Sequence, residues 1–160
     1  MRRVLCLFVF VGLLLVGCSE DGFEMPEEVP NDFAFSISFG VGSKNKINTY
    51  DGIVIKDLII DGTATAELYF TKDETFRIYQ RMREQDILQS PSIIGNTTCN
   101  SEPYGMDQWR IRVNGNEKTI KYCDDVRDAK NLVELRNFIF EIVKHKDEYE
   151  KLPETVGGYE

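Results

Sequence analysis

Apolar and polar side chains alternate without a break from residue 33 to residue 39. Phe33, Phe35, Ile37 and Phe39 share one side, and Ala34, Ser36 and Ser38 share the other. A period of two marks a strand with one buried face. The turn-rich run GVGSKNKIN reads as a connection, followed by a β-rich stretch from Thr49 to Ile60 that carries Ile53, Val54, Ile55, Leu58, Ile59 and Ile60. Asp61 and Gly62 break that stretch, and TATAELYF then alternates again. Three consecutive strands predict an antiparallel meander.

At Thr71 the period changes. Thr71-Lys72-Asp73-Glu74 has the form of a capping box, a hydroxyl followed three residues later by a carboxylate. Phe76, Ile78, Tyr79, Met82 and Arg83 continue at helical spacing, so a helix is predicted over residues 72 to 83. Pro91 and the polar NTTCNSEPYG region form a long irregular connection. Beyond it Trp109, Ile111 and Val113 alternate with Arg110 and Arg112. Asn114-Gly115 is a hairpin signal, and Ile120 and Tyr122 face back from the return strand. A last helix is expected from about Asn131, with Asn131 as its cap and Glu134 three residues on. Leu132, Leu135, Phe138, Ile139, Ile142 and Val143 give that helix an apolar stripe. The order β-β-β-α-β-β-α predicts an α+β fold, a two-layer sandwich of a mainly antiparallel sheet with its helices on one face. Trp109 belongs to the core, because it shares a face with Ile111 and Val113.

The chain opens differently. Met1, Arg2 and Arg3 precede fourteen residues, Val4 to Gly17, that are apolar except for glycine and Cys6. A charged start and a short apolar run are the layout of a secretory signal, and the run falls short of the roughly 20 residues that span a bilayer. Leu15, Val16, Gly17 and Cys18 resemble the lipobox of bacterial lipoproteins. The resemblance implies cleavage between Gly17 and Cys18, with diacylglycerol and a fatty acid such as palmitate on Cys18. Two acyl chains suffice for stable membrane attachment. Residues 1 to 17 thus read as a signal peptide and residues 18 to 32 as an acidic disordered tether, CSEDGFEMPEEVPND. At roughly 3.3 Å per residue the tether spans at most about 50 Å. Residues 33 to 160 read as one α+β domain. The segments FGVGSKNKINTYDG, IKDLIIDG, AELYFTKDETFRIYQRM and HKDEYEKLPE resemble small bacterial lipoproteins, which implies a place in the cell envelope, outside the cytoplasm, and no particular activity.

Charge narrows the partners. Residues 1 to 17 carry two arginines and no acid, so cleavage leaves 17 of the 19 basic side chains against all 27 acids. An acidic domain lacks the basic footprint of a nucleic-acid binder and does not lie flat on anionic lipid. The expected partners are the membrane, through the anchor, and a protein or other envelope component. With Cys6 removed and Cys18 acylated, Cys99 and Cys123 remain as a pair, and export favours a disulfide between them. On the chain-entropy model such a bridge stabilises by roughly 3 to 3.5 kcal/mol.

Candidate chemistry is sparse. FGVGSKNK lacks the order of a phosphate loop and reads as a strand connection. His145, between Lys144 and Lys146, reads as a surface residue of the last helix. The adjacent acids Asp73-Glu74 and Asp124-Asp125 read as caps and first-turn charges. LPET at Leu152 lacks the glycine, apolar span and basic tail of a sortase signal. Asn96 starts an N-x-[ST] triplet, which matters only in a glycosylating host. No metal and no cofactor are expected beyond the lipid on Cys18. Two functions fit: a non-enzymatic, lipid-anchored binding or envelope-interaction module, and an extracytoplasmic hydrolase that uses paired carboxylates. For the module, contact residues are expected on the irregular connections, at Lys44, Lys46 and Tyr104.

Overall fold

The structure, a computed structural model, describes residues 24–95, 99 and 102–160. The segment expected as a signal peptide, with Gly17 and Cys18 at the expected cleavage and lipidation site, and the Asn96 triplet lie outside the described residues. The alternation at residues 33–39 builds β1 (Ala34–Phe39), with Phe35, Ile37 and Phe39 buried. Three further strands follow: β2 (Asn45–Asn48), β3 (Ile53–Ile59) and β4 (Gly62–Glu67). The meander therefore has four strands, one more than the pattern predicts. The extra strand is β2, at the end of the run read as a connection. Its four residues, Asn-Lys-Ile-Asn, bury a single apolar side chain, Ile47, too few for alternation to register. The β-rich stretch read from Thr49 likewise divides, because residues 49–52 form the turn between β2 and β3.

Helix α1 (Lys72–Glu84) carries the expected capping box: the Glu74 amide donates to Thr71 Oγ1 at 3.2 Å and the Thr71 amide to Glu74 Oε2 at 2.7 Å. The long connection after it contains a short strand, β5 (Ile93–Ile94), which pairs parallel with the last strand. β6 (Met106–Val113) and β7 (Asn116–Cys123) form the hairpin, with Asn114 and Gly115 both at positive φ in its two-residue turn. The last helix, α2 (Lys130–Lys144), differs from expectation at its start. A 3-10 turn at Arg127–Ala129 runs straight into it, so its N-cap is Ala129 and no side chain caps it. A single turn, α3 (Asp147–Glu150), follows.

The seven strands lie in the order β4-β3-β2-β1-β6-β7-β5, antiparallel except for the β5–β7 pair. The fold is α+β, as predicted, with one helix after β4 and one near the end. Both helices share one core with one sheet face: Ile78 and Met82 of α1, and Leu132, Leu135, Ile139 and Val143 of α2, belong to the cluster of Ile37, Ile47, Trp109, Ile111 and Ile120. Trp109 is fully buried and its indole N–H donates to the Tyr122 hydroxyl at 2.9 Å. The opposite sheet face carries Ser36, Ser38, Asn48, Gln108 and Arg110 in register across β1, β2 and β6.

Residues 24–32, expected as the end of the tether, lie against the domain. Met25 packs on the core, and the carbonyl of Pro26 accepts the Tyr79 hydroxyl at 2.7 Å. Asp32 caps the hairpin turn, accepting from the amides of Gly115 at 2.6 Å and Asn114 at 3.0 Å. The Gly115 amide first, with that of Asn114, holds the Asp32 carboxyl below its ordinary range. A fragment that keeps these contacts starts no later than Met25.

Candidate functional site

The turn at residues 49–52 is built by Asn48, which is buried. Its Oδ1 accepts from the amides of Tyr50 at 3.0 Å and Asp51 at 3.4 Å, and its Nδ2 donates to Asp51 Oδ2 at 2.6 Å. This side-chain mimicry of a turn fixes the backbone. Gly52 completes it at φ 64, a conformation that side chains disfavour, and a Cβ there would press on the Tyr69 ring at 3.4 Å. The amide of Leu68 donates to the Gly52 carbonyl at 2.8 Å, so the turn and the segment between β4 and α1 are tied together.

Between them opens a cleft of about 400 Å³. Phe33, Phe35 and Phe70 supply aromatic walls, with ring centroids 5.9 Å apart for Phe33–Phe35 and 6.0 Å for Phe35–Phe70. Tyr79 fixes Phe33 from behind by an edge contact at 4.9 Å. Tyr50 and Tyr69 also line the cleft, and Tyr69 is 70% exposed. The polar groups are Thr49, Asp51 and Thr75, so Asp51 is the one acid among the lining residues. An apolar concavity of this size with a few polar groups is the usual form of a small-ligand site.

Tyr50 and Asp51 also line a second concavity of about 280 Å³ on the open sheet face, together with Ser36, Ser38, Lys46, Asn48, Gln108 and Arg110. The Tyr50 ring lies beside two guanidinium groups, 4.7 Å from that of Arg110 and 4.9 Å from that of Arg112. Glu117 binds both arginines at distances of 2.6 to 3.0 Å, and Arg112, then Arg110, holds its carboxyl below the ordinary range. Burial raises the Tyr50 phenol, whose buried oxygen has no hydrogen-bond partner.

A further polar constellation is internal. Asp107 on β6 is fully buried and pairs with Arg136 of α2 at 3.1 Å, with the Tyr122 hydroxyl as its second polar neighbour. Burial pushes its carboxyl up to about 6, against the pull of Arg136. Asp124, expected as a cap, instead points its carboxylate at Gly105, where a Cβ would lie 2.1 Å from Asp124 Oδ2. Its neighbours do not cap either: the 3-10 turn that follows has no side-chain cap.

The contact residues anticipated from sequence occupy different places. The connection before β2 and the start of β6 meet through a Val41–Gly105 bridge and the Ser43 hydroxyl donating to the Met106 carbonyl at 2.6 Å. That brings the segments bearing Lys44 and Tyr104 to one end of the sheet, the end opposite the aromatic cleft. Lys44 is engaged by the C-terminal tail: its ammonium donates to the Tyr159 hydroxyl at 3.0 Å, which raises its pKa. The same hydroxyl donates to Asp57 Oδ2, and Thr155 of the LPET run donates to the Asp57 carbonyl at 3.0 Å. Lys46 lies on β2 and lines the polar pocket. Tyr104 is 42% exposed and lines neither concavity. His145 ends α2, with Nδ1 2.7 Å from the Glu141 carbonyl oxygen. Cys99 and Cys123 form the expected disulfide, Cα atoms 5.5 Å apart, which points to an oxidising compartment outside the cytoplasm. Among the described residues no helix is long and apolar enough to cross a membrane, and no group of three His, Cys, Asp or Glu is placed to hold a metal.

Sequence reasoning missed Tyr50, Asp51, Tyr69 and Phe70 as a site. The turn signal Asn48-Thr49-Tyr50-Asp51-Gly52 was available, and reading it would have placed two aromatic segments beside a loop. Compared with protein-family models, with curated proteins and with solved structures, the chain matches none of them.

Proposed function

We propose that this chain is a non-enzymatic binding module of the bacterial cell envelope, held to a membrane by lipid on Cys18, which recognises its ligand at the aromatic cleft between the 49–52 turn and the start of α1. The observation that carries the reading is the cleft itself: aromatic walls braced by Tyr79, with Tyr69 held out on one side. Rigid aromatic side chains offer a large contact area at small entropic cost, and they dominate recognition sites for that reason. A carboxylate-pair hydrolase needs two acids at a set separation. The cleft offers Asp51 alone. The lipobox resemblance and the disulfide support the location.

Anchoring and binding are tested together. A photoreactive amino acid in place of Tyr69 is expected to give discrete adducts in intact cells. The same probe in a Cys18→Ala background is expected to lose them, together with all incorporation of labelled fatty acid. Fatty acid on Cys18→Ala protein contradicts the anchor. Adducts no more frequent from position 69 than from exposed Glu84 contradict the cleft.

A further inference from the structure

We infer that the aromatic cleft on the helix side of the 49–52 turn and the polar pocket on the open sheet face bind one acidic oligosaccharide, which passes over that turn. This rests on the binding-module reading and names the ligand class of the same site.

Tyr50 and Asp51, at the turn, line both concavities, so a chain of sugar units that crosses the turn touches both. The two halves differ in chemistry. The cleft half presents aromatic rings, which suit the C–H face of a sugar. The sheet half presents the hydroxyls of Ser36 and Ser38 and the carboxamide of Gln108, with the buried Asn48 beneath them holding the turn. Hydroxyls and carboxamides both donate and accept, which matches a ligand whose own hydroxyls do both. They come from β1 and β6, and β2 adds Lys46, in a register fixed by the ladder: Ser36 lies opposite Arg110, and Ser38 opposite Lys46 and Gln108.

Charge selects within that class. The chain has a net charge of -8, yet this pocket holds Lys46 and Arg110. Arg110 shares Glu117 with Arg112. Lys46 forms no ion pair among the described residues, so its half-buried side chain is available to a ligand anion. A local cationic floor in an acidic molecule favours an anionic ligand and repels little of it elsewhere in the pocket. Asp51, at the junction, excludes a carboxylate from that point and accepts from a hydroxyl instead. An oligosaccharide that crosses the turn sets the carboxylate of one unit over Lys46 and Arg110 and the apolar face of another toward Tyr69. An acidic peptide would satisfy the cations and offers backbone amides to the hydroxyls, but hexaglutamate brings no apolar ring face to the aromatic walls, and that difference is what the test reads.

The test uses the full chain in detergent micelles with four probes: a galacturonate hexamer, a hyaluronan hexamer, the methyl-esterified galacturonate hexamer and hexaglutamate. At least one acidic sugar is expected to bind, and the neutral ester and the peptide to bind at least tenfold more weakly. Lys46→Ala should weaken the acidic sugar about tenfold, the order of one charge-assisted contact. Lys46→Arg should restore most of it, and an unchanged melting temperature confirms that both variants fold. Ser36→Ala with Ser38→Ala should weaken the sugar. Failure of both acidic sugars to bind, or hexaglutamate binding as tightly as they do, overturns the inference. Should the sugars fail while position 69 still gives specific adducts in cells, the ligand class falls and the binding-module reading stands; should both fail, the reading falls with it.

Discussion

Between about pH 4 and pH 7 the wild-type chain is expected to lose roughly 3 kcal/mol of stability that its Asp107→Asn variant keeps. Asp107 is fully buried, and burial raises its carboxyl from 3.8 to about 6 although Arg136 opposes the shift. A carboxyl raised in this way holds its proton in the folded chain over a range where the unfolded chain has already released it. Folding then binds a proton between the two values, so stability is full below about pH 4 and declines as pH climbs toward 6. The carboxamide of the Asp107→Asn variant would keep an oxygen for Arg136 and has no charge to bury. Asp32, Glu74 and Glu117 pull the other way. At Glu74 burial opposes ionisation, but Lys146, 2.6 Å away, and Thr71 hold the carboxyl low. At Asp32 and Glu117 hydrogen bonds do so. These groups lose stability as pH falls, and for that reason the comparison is between the wild type and Asp107→Asn at each pH. Urea unfolding at pH 4, 5.5 and 7 measures it. Parallel curves for the two proteins would show that folding does not raise the Asp107 carboxyl.

Removing the disulfide is expected to have an effect of similar size. The bridge closes a separation of 24 residues and ties the connection before β6 to the end of β7. On the chain-entropy model its loss costs about 3.5 kcal/mol, which for a domain of this size corresponds to a melting temperature about 10 °C lower. Cys99→Ala with Cys123→Ala is the preferred variant, because Cys123 is buried and a serine there would hide a hydroxyl. Scanning calorimetry reads the shift. Two alkylatable thiols in protein isolated without reductant, or a melting temperature within a degree of wild type, would contradict the bridge as a structural staple.

Local patterns made most of the fold legible. Alternation found β1 and the β6–β7 hairpin because each strand has one face against the helices and one in water. The capping box found α1 because its groups are three residues apart in sequence. β2 and β5 escaped because strands of four and two residues carry too few side chains for a period to show, and β5 owes its existence to pairing with β7. The start of α2 was misjudged because a 3-10 turn feeds it, leaving Asn131 inside the helix. The site was half legible. Period two already placed Ser36 with Ser38, and Arg110 with Arg112, on one face each. That these faces coincide, and that Tyr50 joins them to Tyr69, depends on strand order and register, which alternation leaves open. The loop lysines illustrate the converse: Lys44 looked free in sequence, and the tail that occupies it is 115 residues away.

Whether a ligand occupies the cleft and the polar pocket is read by hydrogen exchange of the full chain, compared between native envelope vesicles and detergent-purified protein. A ligand there predicts slower exchange in the vesicles at residues 49–52 and 68–70, and on β1 and β2 where the polar pocket lies. The end of the sheet that bears Tyr104 should be unchanged. Equal exchange in both states at 49–52 and 68–70, with protection confined to the Tyr104 end or to the β4 edge, would contradict it.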